Sequence, residues 1–383
     1  MHIAFLLPEY PHEKLPKAAG IGTSTKNLLK ALIDKGLKIT VFTYFQDKQE
    51  VFQDGKITIH KIKLRKYPVL TWKLNEGIIN KYINNIIKKE QIDVLEVVDW
   101  TGISANMNFP IPHVMRLHGS DTYFCHLDAR KIKKANYNRE YKAYTKADKI
   151  IGVSEFVAKK TNILFRQQKD FTVVHNGIFT NDFKPLENNR VQPYHLLYFG
   201  TIIRKKGVLE LAKTFSIAVE KKPQITLTLL GSDAIDIFEG KSTITLFTNL
   251  LSEKAKKQVK FVSQVPYDKV KNFLAEAAVI VLPSFAEALP MTWIEAMASG
   301  KALITSNIGW AKEVMIHNKT GYTVNPKNHD EFAHYIIELL ENKDKREQFG
   351  VNAREVAIEK FDILGAILQK NIKAYKAVLP NNK

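Results

Sequence analysis

A single cysteine, Cys125, serves the whole 383-residue chain. Without a second thiol there is no internal disulfide, no four-cysteine zinc site and no Cys-x-x-Cys redox pair, so the expectation is a reducing, cytoplasmic compartment. Apolar runs are scarce as well. None approaches 18 consecutive residues, which argues against a membrane-spanning helix but not against a protein lying on a bilayer. No Gly-x-Ser-x-Gly elbow is present. Residues 1–9 lack the basic leader and small-residue cleavage site of a secretory signal, and they read as a first strand.

What is there is globular. Hydrophobic residues make up 45% and charged residues 25%, and the length suits about two domains with real cores. The formal net charge of +18 is uneven, because residues 1–190 carry +12 of it. A basic face implies an anionic partner, whether nucleic acid, lipid headgroup or phosphorylated substrate, and charge alone does not choose.

The repeating unit is a short Val/Ile/Leu run, a turn and a helical pattern, which is how strands covered on both faces of a parallel sheet read. In the first half the strands fall at 3–7, 38–44, 57–64, 94–98, 113–117, 149–153 and 172–174, with helices at 24–35, 76–89, 130–145 and 155–165. A second series follows at 196–199, 225–230, 259–262, 279–282, 302–305 and 322–324. The expected fold is α/β, with two doubly wound Rossmann-like domains facing across a cleft. Residues 1–182 form the first, 183–194 the linker, 195–360 the second, and 361–383 a helix packing back toward the first. Ligands of such sheets bind outside the carboxyl ends of the strands. His118, Asn176, residues 204–207, 263–267 and 284–290 all follow strands there.

The most informative stretch is 283–300, Pro-Ser-Phe-Ala-Glu-Ala-Leu-Pro-Met-Thr-Trp-Ile-Glu-Ala-Met-Ala-Ser-Gly. Pro290 and Gly300 frame a helix of about three turns. Amides near Leu289 and Met291 would then offer the partial positive charge that suits a phosphate. Glu287 and Glu295, with seven residues between them, could each grip a diol, one on a ribose and one on a sugar ring. The plain alternative is a dipole-stabilising acid and a solvated one, but Glu295 lies among Met291, Trp293, Ile294 and Met297, where an idle charge is costly.

This stretch resembles the Glu-seven-residues-Glu signature of the retaining glycosyltransferases of family 4, the glycosyl transferases group 1 family, which have the GT-B fold. Further segments agree in order. Residues 18–28, Ala-Ala-Gly-Ile-Gly-Thr-Ser-Thr-Lys-Asn-Leu, resemble the family's N-terminal glycine loop. Residues 117–121 resemble its His-Gly segment, 174–178 its Asn-Gly segment, and 199–207 its basic phosphate loop. The resemblance implies a nucleotide diphosphate sugar as donor, with Glu295 on the ribose, Glu287 on the transferred sugar, Lys206 on the diphosphate and His118 near the reacting carbon. Gly20, Gly22, Asn176, Leu289 and Met291 would complete the donor site. The chain departs from the family at Thr201, where arginine is usual. Arg204 is expected to supply that charge. Ala19 and Ala288 stand where glycines are common. No Asp-x-Asp occurs, and no cofactor or metal is expected, because fixed cations and helix-end amides can stabilise the departing diphosphate.

Other signals carry less. Residues 20–25 almost spell a dinucleotide fingerprint, but a dozen residues separate them from the first strand. Gly240-Lys241-Ser242 lacks the earlier glycine of a phosphate loop. His329 and His334 lack companion ligands, and beside the pair Cys125-His126 no third, orienting group is readable. Residues 263–267 are expected to touch the base of the nucleotide. In the resembled family the first domain holds a saccharide or lipid-linked acceptor, often at the inner membrane face. Basic residues interleaved with aromatics, at 61–73 and 130–149, suit an anionic bilayer. The expected activity is therefore metal-independent, retaining sugar transfer in polysaccharide or glycolipid synthesis. The rivals are a sugar-nucleotide epimerase or phosphorylase on the same fold, and a non-enzymatic polyanion binder. No nucleic-acid motif is present, so nucleic acid is not an expected partner.

Overall fold

The computed structural model describes residues 1–16, 18–186 and 191–380. The chain divides into two compact units, Met1–Ile178 with Asp362 onward, and Phe179–Phe361. The boundary lies a few residues before the expected linker. Phe183 explains the shift, since it is buried in the second unit, with its ring 5.7 Å from that of Tyr267 and its carbonyl accepting from Arg354. Part of the expected linker, 187–190, lies outside the described residues.

Among the described residues the first unit is built on eight strands: β1 (His2–Leu7), β2 (Lys38–Gln46), β3 (Glu50–Asp54), β4 (Ile57–Lys63), β5 (Val94–Val98), β6 (His113–Leu117), β7 (Lys149–Gly152) and β8 (Phe171–Val173). Their order is β3-β4-β2-β1-β5-β6-β7-β8, parallel except where β3 turns back on β4. Every residue of β1, β5 and β6 is buried, so these runs are largely apolar, and the charges they do carry, Glu96 and Arg116, are buried with them. β3 is an edge strand missing from the sequence reading, because its residues Glu-Val-Phe-Gln-Asp bury only Phe52.

The second unit holds β9 (His195–Phe199), β10 (Thr226–Leu230), β11 (Val259–Val262), β12 (Val279–Leu282), β13 (Leu303–Ser306) and β14 (Gly321–Val324). The order β11-β10-β9-β12-β13-β14 is wholly parallel. In each sheet the strand order reverses beside its first strand, between β1 and β5 and between β9 and β12. Those are the points where a doubly wound sheet opens a crevice for ligand.

After the helix Lys343–Phe361 the chain rejoins the first unit. Ile363 donates its amide to the Ile178 carbonyl at 2.8 Å, and the helix Leu368–Lys376 lays Asn371 and Tyr375 on the core. There Arg116, from β6, makes a two-pronged pair with Glu96 of β5 at 2.8 Å on both prongs. Its NH2 also donates to Asn371 Oδ1 at 2.6 Å and to the Tyr375 hydroxyl at 3.1 Å, while Tyr375 donates to Glu96 at 2.7 Å. A buried ion pair is tolerable only when its remaining polar atoms are satisfied, and here the last helix satisfies them.

Candidate active site

In the second unit the loops after β9 and β12 meet at the reversal point. The short turn Arg204–Lys206 ends in Gly207, at φ +74°, and a Cβ there would lie 1.9 Å from the Pro283 carbonyl oxygen. Only glycine permits both the left-handed backbone and that approach. Lys205 then offers its carbonyl to the amides of Phe285 and Ala286, at 2.8 and 3.3 Å, and fastens one loop to the other.

That junction brings the predicted residues together. Lys206 Nζ lies 2.9 Å from Glu287 Oε1, which also accepts from Ser284 Oγ at 3.1 Å. Lys206 also faces Glu295 closely enough to help hold its charged form. Glu295 lies in the helix Met291–Ala298, 5% exposed, and accepts a 2.6 Å hydrogen bond from the Tyr267 hydroxyl. Burial nevertheless dominates and raises its carboxyl to about 7, against the opposing pull of Tyr267 and Lys206. Glu295 is thus no solvated surface acid. Leu289 is buried just before this helix and Met291 opens it, with Pro290 at the cap making no side-chain bond. The Tyr267 hydroxyl, on a segment expected to touch a base, is given to Glu295.

Arg204 is arranged differently. Its Nε and NH2 make a fork onto the buried Asp236, at 2.6 and 3.1 Å, and NH2 reaches Glu239 at 2.7 Å. In a three-residue turn, side chains two positions apart diverge by roughly 120°. Lys206 therefore faces Glu287 while Arg204 serves the turn at 236–239.

In the first unit, His118 follows β6 and Asn176 follows β8. Both line a small cavity of about 10 Å³, room for one water at most, together with Ser24, Thr25, Arg116 and Asn371. His118 is 8% exposed, and its Nε2 is buried with no hydrogen-bond partner among the described residues. Burial first, and the Arg116 charge second, lower its pKa to about 3, so the imidazole is neutral at any ordinary pH. Gly20 and Gly22 sit in the first turn of the helix Gly20–Asp34, which begins four residues before the expected start. Gly22 donates its amide to Glu9 at 2.9 Å, and a Cβ there would meet Ala18 at 2.8 Å. Ser24, Thr25 and Leu28 of the same helix reach the cavity, and the two glycines do not line it.

Comparison with known proteins follows the same division. Residues 18–182 match the family model described as Glycosyltransferase Family 4, and residues 180–356 match the one described as Glycosyl transferases group 1. The chain belongs to the group 1 glycosyltransferases. An uncharacterized glycosyltransferase of Methanocaldococcus jannaschii is 26% identical over 89% of this chain and 90% of its own. Among solved structures, sucrose-phosphate synthase from Thermosynechococcus elongatus superposes with a TM-score of 0.79 at 20% identity, covering 98% of each chain. Anabaena HepE in complex with UDP and glucose gives 0.75 at 18% identity, over 98% of this chain and 99% of that one. These likenesses show the GT-B fold.

For this glycosyltransferase Glu287 and Glu295 were legible as one local motif and Lys206 as part of another, at 199–207. The bond of Tyr267 to Glu295, and the parts played by Asp99 and Glu140, were not, since each acts on residues distant in sequence. Asp99 accepts from the amides of His118 and Gly119, at 2.9 and 3.1 Å. Glu140 accepts from those of Asp121 and Thr122, at 2.9 and 3.0 Å.

Proposed function

We propose that this glycosyltransferase is a retaining, metal-independent enzyme that moves a hexosyl group from a nucleotide diphosphate sugar to a hydroxyl of a saccharide or lipid-linked acceptor, in polysaccharide or glycolipid synthesis. The observation that carries the reading is Lys206, set against Glu287 and facing Glu295 at the reversal point of the second sheet. Cleavage of the glycosidic bond leaves growing negative charge on the β-phosphate. Lys206 and the amides opening the Met291–Ala298 helix are fixed positive partners for that charge. Glu295 takes the ribose hydroxyls and Glu287 the hydroxyls of the transferred sugar. His118, neutral, accepts or donates one hydrogen bond near the reacting carbon through its orphan Nε2. Same-face attack by the acceptor, with the departing phosphate taking its proton, preserves the anomeric configuration without a covalent intermediate. A uridine nucleotide is the first donor to try, by analogy with the UDP held by HepE.

The test is a panel of nucleotide diphosphate sugars by thermal shift, followed by transfer kinetics with the donor that stabilises the chain. Lys206→Ala should lower kcat/KM by about 10²- to 10³-fold, the cost of losing one fixed donor to a developing anion. Glu295→Ala should raise the donor KM with a smaller change in kcat. Wild-type constants in both variants would overturn the assignment, and a sugar nucleotide isomerised without acceptor would point to the epimerase reading.

We also propose an anionic lipid surface as the place of work. Val69 and Leu70 are 70% and 64% exposed, Leu74 is exposed beside them, and Arg65, Lys66 and Lys73 surround them in sequence. The tyrosines of the helix Lys134–Lys146 support this less. Tyr144 is buried, and Tyr137 and Tyr141 pack edge-on against Phe165.

A further inference from the structure

The segment that carries His118 is held in an unusual way. Of the five residues that follow β6, four give their backbone N–H groups to just two carboxylates. His118 and Gly119 donate to the two oxygens of Asp99, while Asp121 and Thr122 donate to the two oxygens of Glu140. The fifth, Ser120, is the N-cap of the helix Asp121–Leu127, its Oγ accepting from the Tyr123 amide at 3.2 Å. Both acids are nearly inaccessible, Asp99 at 4% and Glu140 at 2%. Charge-assisted bonds of this kind are among the stronger ones available to a loop, and shielding from water strengthens them further.

The two acids are also tied to each other through the backbone. Asp99 begins the corner Asp99-Trp100-Thr101-Gly102, in which Thr101, a β-branched residue, sits at φ +61°. Gly102, at φ +62°, presses on the main chain of Arg139 and Glu140, where a Cβ would come within 2.6 Å. The left-handed Thr101 is a strained conformation that only surrounding structure can hold. The corner thus sets Asp99 against the helix Lys134–Lys146 that supplies Glu140. The result is one clasp with two hooks, fixed to a strand end and to a helix.

We infer that Asp99 and Glu140 are positioning residues for His118, fastening the 118–122 backbone so that the unpartnered imidazole Nε2 stays where the reacting sugar arrives. This rests on the role proposed for His118. Neither acid touches the imidazole directly, and an anion at Asp99 is needed for both amides to have a full acceptor. The groups facing Asp99 are Glu140, whose charge disfavours its ionisation, Tyr44, and the neutral His118. Arg116 is turned to Glu96, and the Arg139 guanidinium lies over the Trp72 ring, so neither offsets it. Glu140 in turn faces Asp121, Ser120 and Thr122. Burial is the main cause that brings Asp99 to about 7, and it raises Glu140 as well. Protonating Asp99 converts one of its acceptor oxygens into a hydroxyl, so the clasp weakens as pH falls through neutrality.

The experiment combines kinetics with hydrogen exchange on the full chain, comparing wild type, Asp99→Asn and Glu140→Gln. Wild-type kcat should rise with pH through about 7. In Asp99→Asn that limb should flatten, and kcat should fall by up to about 10²-fold, as small misplacements near the chemistry do, with little change in donor KM. Glu140→Gln should lower kcat and shift the limb to lower pH, because a like charge beside Asp99 is removed. In both variants the amides of 118–122 should exchange faster while those of β1 and β5 keep their protection. A third variant, Glu76→Gln, removes a buried carboxylate of the same unit that serves Trp72 and Asn106, and it should leave the limb in place. Because Glu295 also titrates at about 7, the limb is read in a Glu295→Gln background as well; unchanged exchange at 118–122 in both clasp variants, or a limb that persists when Asp99→Asn is combined with Glu295→Gln, would overturn the inference. If no nucleotide sugar is turned over at all, the functional reading fails, while the exchange arm still decides whether the clasp exists.

Discussion

Glu295 sets chemistry against stability at a single residue. Its carboxyl is raised from 4.5 to about 7 by burial. A folded-state value above the unfolded one means that the group favours the fold while protonated, below about pH 4.5, and that this contribution disappears as pH rises through about 7. At pH 8 the ligand-free protein therefore carries an ionised acid in a buried position. Glu295→Gln keeps the oxygen that Tyr267 needs and removes the charge. It should stabilise the fold at pH 8 by at most about 3.5 kcal/mol, at roughly 1.4 kcal/mol per pKa unit, and so raise the melting temperature there, with the gain shrinking toward pH 5. Scanning calorimetry at the two pH values checks this, and a lower melting temperature at pH 8 would contradict it. At this scale the sequence made Glu287, Glu295, Lys206 and His118 readable, because each stands in a short motif next to a strand end or helix start. Arg204 shows the limit, since which way a side chain leaves a tight turn depends on Asp236, 32 residues away. Asp99 lies 19 residues before His118 and acts through main-chain groups, which leave no trace in residue type.

At the scale of elements, the parallel strands announced themselves, even the partly exposed β8 and β11, and the antiparallel edge strand did not. β3 was lost to its polar composition, and the helix Gly20–Asp34 starts earlier than its glycines suggested, because Gly22 gains a bond from Glu9 that local propensity does not count. The segment 65–74 is an element that only the structure reveals. Asn75, fully buried, binds both the amide and the carbonyl of Arg65, at 2.9 and 2.7 Å, and Thr71 does the same for Tyr67. These bonds brace a loop whose tip, Pro68-Val69-Leu70, is apolar and open to solvent while its flanks are basic. Anionic vesicles at low salt should therefore sediment the protein, each nearby basic side chain adding about 1 kcal/mol. Val69→Ser with Leu70→Ser should weaken binding at all ionic strengths, whereas Lys66→Glu with Lys73→Glu should weaken it chiefly at low salt. Equal sedimentation of all three proteins would remove the lipid reading.

For the whole molecule, hydrophobic periodicity gave two doubly wound sheets, but their boundaries were set by contacts far apart in sequence. Phe183 belongs to the second unit by virtue of Tyr267 and Arg354, and the final helix belongs to the first by virtue of Arg116 and Glu96. Tyr375 makes that attachment measurable. Its hydroxyl bonds to both members of the buried pair, and its ring meets Phe5 edge-on at 6.3 Å. Tyr375→Phe keeps the ring and removes the hydroxyl, so it should cost roughly 1.5–3 kcal/mol, the range for hydrogen bonds to charged groups. Urea unfolding followed by signals from the first unit reads the loss, and an unchanged midpoint would show that water replaces the phenol without penalty.

The return of the chain to its starting unit also dictates an order of birth. Residues 179–361 form an uninterrupted stretch and can mature as they leave the ribosome, whereas the first-made half must wait for 362–376 before its Arg116–Glu96 seam is closed. The earlier-made of the two units is thus the later one to be finished, and a premature stop before Tyr375 leaves it open to chaperones and proteases.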